Sequence, residues 1–202
     1  EKIYDDLDKN FEISYHDSHV PLKKEEIIEM IKGQDALLCP LSDKIDKEVI
    51  DAGDNLKIIA NYGAGFDNID IDYAREKGIV VTNAPAPASA VSTAELAFGL
   101  MLAAARKIVS GDKVTRAGEF YGWRPTFYLG SQLKGKTLGI IGLGNIGKNL
   151  AKRARAFEMK VIYYSRTRKE DFEREFDIEY LDRDEVVRSA DFLSLHTAFV
   201  PD

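Results

Sequence analysis

The chain has 202 residues, and its 28 lysines and arginines against 34 aspartates and glutamates give a formal net charge of −6. A composition of 45% hydrophobic and 31% charged residues is typical of a soluble globular protein and excludes a disordered one. Because phosphate-rich partners require a basic surface, we expect neither a nucleic-acid partner nor a membrane.

Apolar runs and helical patterns alternate over the first 86 residues, which is typical of βαβ units and a parallel sheet. The pattern predicts strands at 11–15, 36–39, 56–60 and 79–82 and helices at 23–32, 46–52 and 71–77. The second of these strands ends in Cys39, the only cysteine in the chain. One thiol excludes an intrachain disulfide and favours a reducing, cytoplasmic location; since no basic residue is adjacent, we predict that it is buried and inert.

The alternation breaks at residues 83–88, where two prolines predict a linker between domains. Ser92 and Glu95 have the spacing of a capping box and predict that a long helix begins there. The apolar run 96–105 predicts burial in a core, between domains or between subunits, and is too short to cross a bilayer. The irregular aromatic segment 118–133 needs cover from a partner subunit or the other domain.

From residue 134 the alternation returns, and it predicts strands at 137–141, 161–164 and 192–195 and helices at 145–157 and 183–189. We therefore predict an α/β protein with two domains, over 1–86 and 87–202, each built on a parallel sheet.

The strand at 137–141 leads into a glycine-rich turn that opens a helix, as in a dinucleotide fingerprint. Gly142 permits the tight turn, Gly144 lets a pyrophosphate approach the backbone, and Gly147 lets the helix pack closely on the strand. The first N–H groups of the helix are unpaired and suit a pyrophosphate. The predicted cofactor-binding residues of this turn are Gly142, Leu143, Gly144, Asn145, Ile146 and Gly147. A glycine-rich turn that binds no nucleotide is the alternative.

The residues after the next strand indicate which dinucleotide is bound. An NAD site normally has an Asp or Glu there, which binds the ribose 2′-OH. In this chain the residues are Ser165, Arg166, Thr167 and Arg168. Two guanidiniums and two hydroxyls favour a 2′-phosphate, so we predict NADP(H) as the preferred cofactor, NAD(H) as the second option, and Arg166 as the main phosphate partner. The alternative is that the arginines merely solvate a loop and pair with Glu170 or Asp171.

In the first domain, the strand at 56–60 ends in a loop that contains Gly63 and Gly65. Such glycines let main-chain N–H groups converge on a carboxylate or phosphate, and loops after parallel strands are where open α/β sheets bind ligands. A turn without a ligand is the alternative.

Several motifs together resemble the D-2-hydroxyacid dehydrogenase family, and the resemblance covers nearly the whole chain. In chain order they are Asn61 to Asp70, Ser92 to Glu95, Trp123, Leu133 to Ile140, and Gly142 to Gly147. Residues 164–168 are similar to those of the glyoxylate/hydroxypyruvate reductase branch, which tends to use NADPH.

The resemblance implies an enzyme that transfers a hydride from the nicotinamide to the keto carbon of a small 2-keto acid, usually as a homodimer joined through the nucleotide-binding domain. It implies two doubly wound domains. The first is a flavodoxin-like substrate domain over 1–86, in which N–H groups near Ala64 and Gly65 hold the substrate carboxylate. The second is a Rossmann domain over 87–202 that is incomplete at its C-terminal side. His196 and Thr197 match the segment near the adenosine half of the cofactor, and Pro201 matches the proline that follows it. The same fold also occurs in a dinucleotide-sensing corepressor, so a dinucleotide-sensing scaffold is the second hypothesis for this chain.

The catalytic Arg, Glu and His of that family lie downstream of the segment that ends here at Asp202, and none of the three histidines of the chain matches the catalytic one. No first strand precedes Glu1 either. We therefore expect a fragment cut at both ends, a nucleotide-binding piece without turnover of its own.

Overall fold

The structure is a computed structural model that describes residues 2–197, so Pro201 lies outside the described residues. These residues form two compact units, the first ending at Ala86 and the second beginning at Pro87.

The first unit contains a three-stranded parallel sheet of order β1-β2-β3. Its elements are α1 (Lys2–Asp8), α2 (Lys24–Ile31), β1 (Ala36–Pro40), α3 (Lys47–Ala52), β2 (Ile58–Tyr62), α4 (Ile71–Glu76) and β3 (Val80–Asn83). The strand register places Asn61 beside both Cys39 and Asn83. The carboxyl ends of all three strands therefore meet at one edge of the sheet.

The helices of this unit begin where the sequence supplies caps, and their apolar faces fill the core. The side chains of Asp46 and Asp70 accept hydrogen bonds from the first turns of α3 and α4, which satisfies N–H groups that no helix can pair internally. Cys39 is 1% exposed, and burial raises the pKa of its thiol to about 11. The predicted burial of this thiol is confirmed, and its inertness stays a prediction, which the raised pKa supports.

The strand predicted at 11–15 does not form, and this prediction was wrong. The segment has no regular structure, and Phe11 and Tyr15 are largely exposed. Alternating apolar residues become a strand only where a neighbouring strand pairs with them, and no strand of the described first unit pairs with 11–15.

The second unit contains a four-stranded parallel sheet of order β6-β5-β4-β7. Its elements are α5 (Pro87–Ala105), α6 (Ile108–Arg116), β4 (Thr137–Ile141), α7 (Asn145–Ala156), β5 (Lys160–Tyr164), α8 (Glu170–Phe176), β6 (Glu179–Tyr180), α9 (Arg183–Ser189) and β7 (Phe192–Leu195). The prediction of an α/β protein with parallel sheets is confirmed.

Helix α5 begins at Pro87 rather than at Ser92, so the predicted capping box was wrong. Proline is accommodated in the first turn of a helix because the N–H that it lacks would have no partner there. Asn83 belongs to β3, which leaves only residues 84–86 of the predicted linker between the two elements.

The predicted burial of α5 holds for one face only. Ala94, Phe98 and Ala105 are buried in the core of the second unit, whereas Leu96 and Leu100 are 64% and 62% exposed. The helix has 19 residues and is long and apolar enough to cross a bilayer by length and composition. The length argument made from its apolar run was therefore wrong, although the buried face is that of a core helix.

Candidate functional site

Three segments with predicted site residues start at the same edge of the second sheet. Ile141, at the end of β4, stands in register with the last residues of β5 and β7. The Gly142 N–H donates to the carbonyl oxygen of Tyr164 (2.8 Å), and the His196 N–H donates to that of Ile141 (2.7 Å). The glycine turn thus lies between residues 165–168 on one side and residues 196–197 on the other. The chain order reverses here, since β5 and β7 flank β4 on opposite sides, and such switch points are where open α/β sheets bind ligands.

The three glycines of the turn are required for different reasons. Gly142 has a φ of +98°, and a Cβ there would collide with the carbonyl oxygen of His196. A Cβ at Gly147 would collide with the carbonyl oxygen of Gly142. At Gly144, by contrast, a Cβ would have no described atom within 4 Å. Packing of the protein itself explains the first two glycines, and a ligand that approaches the backbone explains the third.

The amino terminus of α7 offers unpaired donors at the same place. Its first residue follows Gly144, which supplies no side-chain cap. None of the described residues accepts a hydrogen bond from the N–H groups of Asn145, Ile146 or Gly147. Gly144 and Asn145 are exposed, whereas the side chain of Leu143 is buried, so the turn presents main-chain groups to solvent. These groups fit the pyrophosphate of a dinucleotide.

The two arginines in the segment after β5 differ in their partners. Arg168 donates from Nε and Nη2 to the carboxylate of Glu173 at 2.8–3.2 Å. Within residues 2–197, Arg166 has neither an ion pair nor a side-chain hydrogen bond, and it is exposed. The Ser165 hydroxyl donates to the carbonyl oxygen of Thr167 (2.8 Å), which tightens the turn.

The alternative partners expected for the arginines do not pair with them. Glu170 and Asp171 both pair with Arg174, while Glu173 takes Arg168 and also accepts a hydrogen bond from the hydroxyl of Tyr163 (2.7 Å). The Arg168 guanidinium and the Tyr163 hydroxyl together hold the pKa of the Glu173 carboxyl below its usual range. Sequence reasoning missed the roles of Glu173 and Tyr163 in holding this segment. The helix that carries Glu173 lies in a stretch too polar to be predicted, and the pairing of Tyr163 depends on that helix.

On the other side of the glycine turn, the ring of His196 is fixed. Its Nε2 lies 2.9 Å from the hydroxyl oxygen of Ser194, and burial lowers the pKa of the imidazole. The neighbouring Thr197 lies against the turn, since a Cβ on Gly142 would also meet its methyl group. Both residues are therefore placed beside the glycine turn.

The first unit contains the predicted anion-binding loop, and two asparagines brace it. The buried Asn61 donates from Nδ2 to the carbonyl oxygen of Gly65 (2.8 Å), and Asn83 donates from Nδ2 to that of Ala64 (2.8 Å). The Ala84 N–H donates to the carbonyl oxygen of Gly63 (2.8 Å). Three consecutive peptide carbonyls are thus held by the protein.

This bracing determines where the loop N–H groups point. In a trans peptide the N–H points away from the carbonyl of the same unit, so the N–H groups of Ala64, Gly65 and Phe66 point away from the three braces. None of them donates to another residue of the described chain. Successive free N–H groups of this kind form a nest suited to a carboxylate or a phosphate. Sequence patterns identified the glycines but not the bracing by Asn61 and Asn83, which depends on the register of β2 and β3.

Three large apolar side chains stand exposed on or near the loop. Leu41, Tyr62 and Phe66 are 51%, 69% and 49% exposed. A Cβ at Gly63 would lie 2.6 Å from the Leu41 side chain, so Leu41 contacts the loop directly.

Comparisons with known proteins agree with this geometry. A family model described as the NAD-binding domain of D-isomer specific 2-hydroxyacid dehydrogenases matches residues 98–202. A Staphylococcus aureus (strain USA300) protein named as a 2-hydroxyacid dehydrogenase is 50% identical over 195 residues, which cover 96% of this chain and 61% of that protein. The crystal structure of the TT0316 protein from Thermus thermophilus is 39% identical, with a TM-score of 0.89, and is matched over 100% of this chain and 63% of its own.

Two further solved structures contain coenzymes. A D-lactate dehydrogenase from Aquifex aeolicus, in complex with NAD and lactic acid, has a TM-score of 0.84 at 29% identity and is matched over 98% of this chain and 58% of its own. An acyclic imino acid reductase in complex with NADPH and D-Arg has a TM-score of 0.76 at 30% identity, over 89% of this chain and 56% of its own.

The chain thus spans about three fifths of the length of the relatives that it matches. The family model covers more than half of the chain, and the dinucleotide turn lies within the matched residues. The chain therefore belongs to the D-isomer specific 2-hydroxyacid dehydrogenase family and carries the NAD-binding domain of that family.

Proposed function

We propose that this chain supplies the coenzyme site and the substrate-carboxylate site of an NADPH-dependent reductase of small 2-keto acids. The observation that carries the proposal is the open space at Gly144 in front of three unpaired N–H groups of α7. No packing contact of the described residues requires a glycine there, whereas a bound pyrophosphate does.

The preference for the phosphorylated coenzyme is supported by the residues after β5. No carboxylate is available at 165–168 to bind a ribose 2′-OH, and Arg166 is exposed without a described partner. A guanidinium can bind a phosphate in a bidentate manner. Arg166 is therefore the main partner of the 2′-phosphate, with NAD(H) as the weaker coenzyme.

The substrate is a small 2-keto acid such as glyoxylate or hydroxypyruvate. Its carboxylate binds the free N–H groups of Ala64 and Gly65, whose carbonyls are braced from behind. In the reaction a hydride passes from the nicotinamide to the keto carbon, the keto oxygen takes a proton, and a 2-hydroxy acid and NADP⁺ result. Domain roles follow the two units: the unit that ends at Ala86 holds the substrate and the unit that begins at Pro87 holds the coenzyme.

Arg166→Ala tests the coenzyme assignment on the chain itself. Loss of the main phosphate partner should raise the Kd for NADPH roughly tenfold and leave the Kd for NADH within about a factor of two. Isothermal titration calorimetry with both coenzymes measures the two values. An unchanged NADPH Kd would show that the 2′-phosphate is bound elsewhere.

The activity itself is tested on the gene product that contains this sequence, because the chain spans only part of its relatives. NADPH oxidation is followed with glyoxylate and with hydroxypyruvate, and turnover with either supports a reductase. Coenzyme binding without turnover would instead favour a dinucleotide sensor.

We further propose that the protein is a cytoplasmic homodimer joined through the second unit. The exposed Leu96 and Leu100 lie one turn apart on α5, and the irregular segment after α6 exposes Tyr121 and Trp123 by 80% and 83%. These exposed apolar side chains support the proposal, because large apolar groups left in water favour cover by another chain.

A further inference from the structure

Glu173 is the least exposed member of the charged cluster after β5. Its side chain is 11% exposed, whereas that of Arg168 above it is 56% exposed. The carboxylate engages Nε and Nη2 of the guanidinium. The remaining guanidinium edge, including Nη1, has no partner among residues 2–197.

The position of this carboxylate is fixed from the side of the protein core. The hydroxyl of Tyr163, whose side chain is fully buried in the core of the second unit, donates to Glu173 Oε1 (2.7 Å). The same hydroxyl accepts a hydrogen bond from the Lys169 N–H (2.7 Å). The carboxylate therefore cannot swing away without leaving Tyr163 and Arg168 unpaired.

The two arginines after β5 therefore differ in how far a neighbouring carboxylate offsets their charge. Arg166 presents a whole positive charge to solvent, while the charge of Arg168 is largely offset by a carboxylate held against it. A phosphate dianion that approaches Arg168 must therefore share the guanidinium with a carboxylate that already accepts hydrogen bonds from Nε and Nη2. The ribose 2′ position of a bound dinucleotide lies beside the residues that follow the second strand of the fingerprint, and in this chain those residues are 165–168.

We propose that Glu173 weakens the preference for NADPH by competing with the 2′-phosphate for Arg168. It keeps discrimination between NADPH and NADH moderate and leaves the discrimination mainly to Arg166. This inference rests on the proposed coenzyme site and adds to it a residue that touches neither coenzyme nor substrate. A purely structural role for the ion pair, closing the turn after β5, would predict no selective effect on NADPH.

Glu173→Gln tests the inference, because glutamine keeps the shape and an acceptor for Arg168 but removes the charge. We expect the Kd for NADPH to fall about threefold to fivefold, the effect of one partly exposed charge pair, while the Kd for NADH stays within about a factor of two. Glu175→Gln is the matched control: it makes the same change in charge on the same helix, at an exposed residue with no described partner, and should move neither Kd.

A double-mutant cycle shows whether the effect passes through Arg168. In an Arg168→Ala background, Glu173→Gln should lose most of its effect on NADPH binding. An effect that persists in full there, an equal effect on NADH, or an unchanged or raised NADPH Kd in the single variant would overturn the inference. If the unmodified chain binds no coenzyme, or prefers NADH, the proposed coenzyme itself is wrong and this inference falls with it. Circular dichroism of each variant confirms that a changed Kd is not a loss of folding.

Discussion

At the level of single residues, substitutions of the glycines of the turn distinguish an effect on coenzyme binding from an effect on the stability of the fold. Gly144→Ala meets no described atom, so we expect a loss of stability of no more than about 1 kcal/mol and a roughly tenfold higher Kd for NADPH, because the methyl group occupies the path of the pyrophosphate. Gly147→Ala should instead destabilise the fold by about 3 kcal/mol, since its Cβ collides with backbone. Thermal unfolding and calorimetric titration give both values.

The control for this pair is Gly99→Ala, in the interior of α5, where a Cβ also meets nothing within 4 Å. It should leave coenzyme binding unchanged and stabilise the helix by up to about 1 kcal/mol. Normal NADPH affinity in Gly144→Ala would mean that no pyrophosphate approaches the backbone at this position.

Asn61 connects a buried hydrogen-bond network to the anion-binding loop at Gly63 and Gly65. Besides Gly65, its amide donates to the side-chain oxygen of Asn68 (3.0 Å). Asn61→Asp replaces this donor by an oxygen that faces two other oxygens, so we expect a loss of about 2–3 kcal/mol in the free energy of unfolding. Urea denaturation measures it.

The exposed Asn55, whose side chain makes no hydrogen bond within the described residues, supplies the comparison. Asn55→Asp should change the free energy of unfolding by no more than about 0.5 kcal/mol. Equal effects of the two substitutions would indicate that the network does not brace the loop.

The sequence could predict which residues need to be glycine, but not which acid would pair with Arg168. Glu170 and Asp171 are nearer along the chain, and the alternative interpretation named them as the partners. Their helix, α8, turns them toward Arg174 and turns Glu173 toward β5. This choice depends on the phase of a helix that hydrophobic periodicity does not reveal in so polar a stretch.

At the level of elements, Tyr163 links β5 to α8, and the link depends on pH. Burial, together with the hydrogen bond to the Glu173 carboxylate, raises the pKa of Tyr163 to about 12, against about 10 in an unfolded chain. The native state therefore holds this proton where the unfolded state releases it. The resulting stability is present in full below pH 10 and is lost as the pH rises toward 12.

Tyr163→Phe should remove this contribution to the free energy of unfolding, and with it the loss of stability between pH 10 and pH 12. At neutral pH we expect the variant to be less stable by about 1–2 kcal/mol, because the Lys169 N–H and Glu173 lose their partner. The difference from the unmodified chain should then shrink between pH 10 and pH 12, as followed by chemical denaturation at several pH values. Tyr121→Phe, at a residue that is 80% exposed, should give parallel curves, and parallel curves for Tyr163→Phe would contradict the prediction.

Helices and strands were predicted correctly where burial and periodicity agree. Prediction failed where the structure depends on contacts with other parts of the chain. Strands β1, β2, β3, β4, β5 and β7 all lie where apolar runs indicated them, shifted by at most two residues at an end. The segment 11–15 shows a strand pattern but pairs with no described strand. The sequence predicts that α5 begins at Ser92, because prolines usually break helices, whereas Pro87 stands in its first turn. Both errors arise from tertiary context that local sequence does not contain.

At the level of the whole molecule, the exposed face of α5 makes the proposed homodimer testable. Leu96→Glu combined with Leu100→Glu places two like charges on that face, and burying them in an interface is costly. We expect the dimer dissociation constant to rise by at least about a hundredfold, as measured by sedimentation equilibrium. The buried face, which carries Ala94 and Phe98, is untouched, so thermal unfolding of the monomer should change little.

Val20→Glu provides the comparison, because Val20 is equally exposed, at 70%, but lies in the first unit. The same kind of substitution there should leave the dimer intact, since the proposed interface belongs to the second unit. A chain that is monomeric without any substitution would show that the apolar face of α5 has a different cover, and the proposal of a homodimer would then fail while the coenzyme site at Gly144 would stand unaffected.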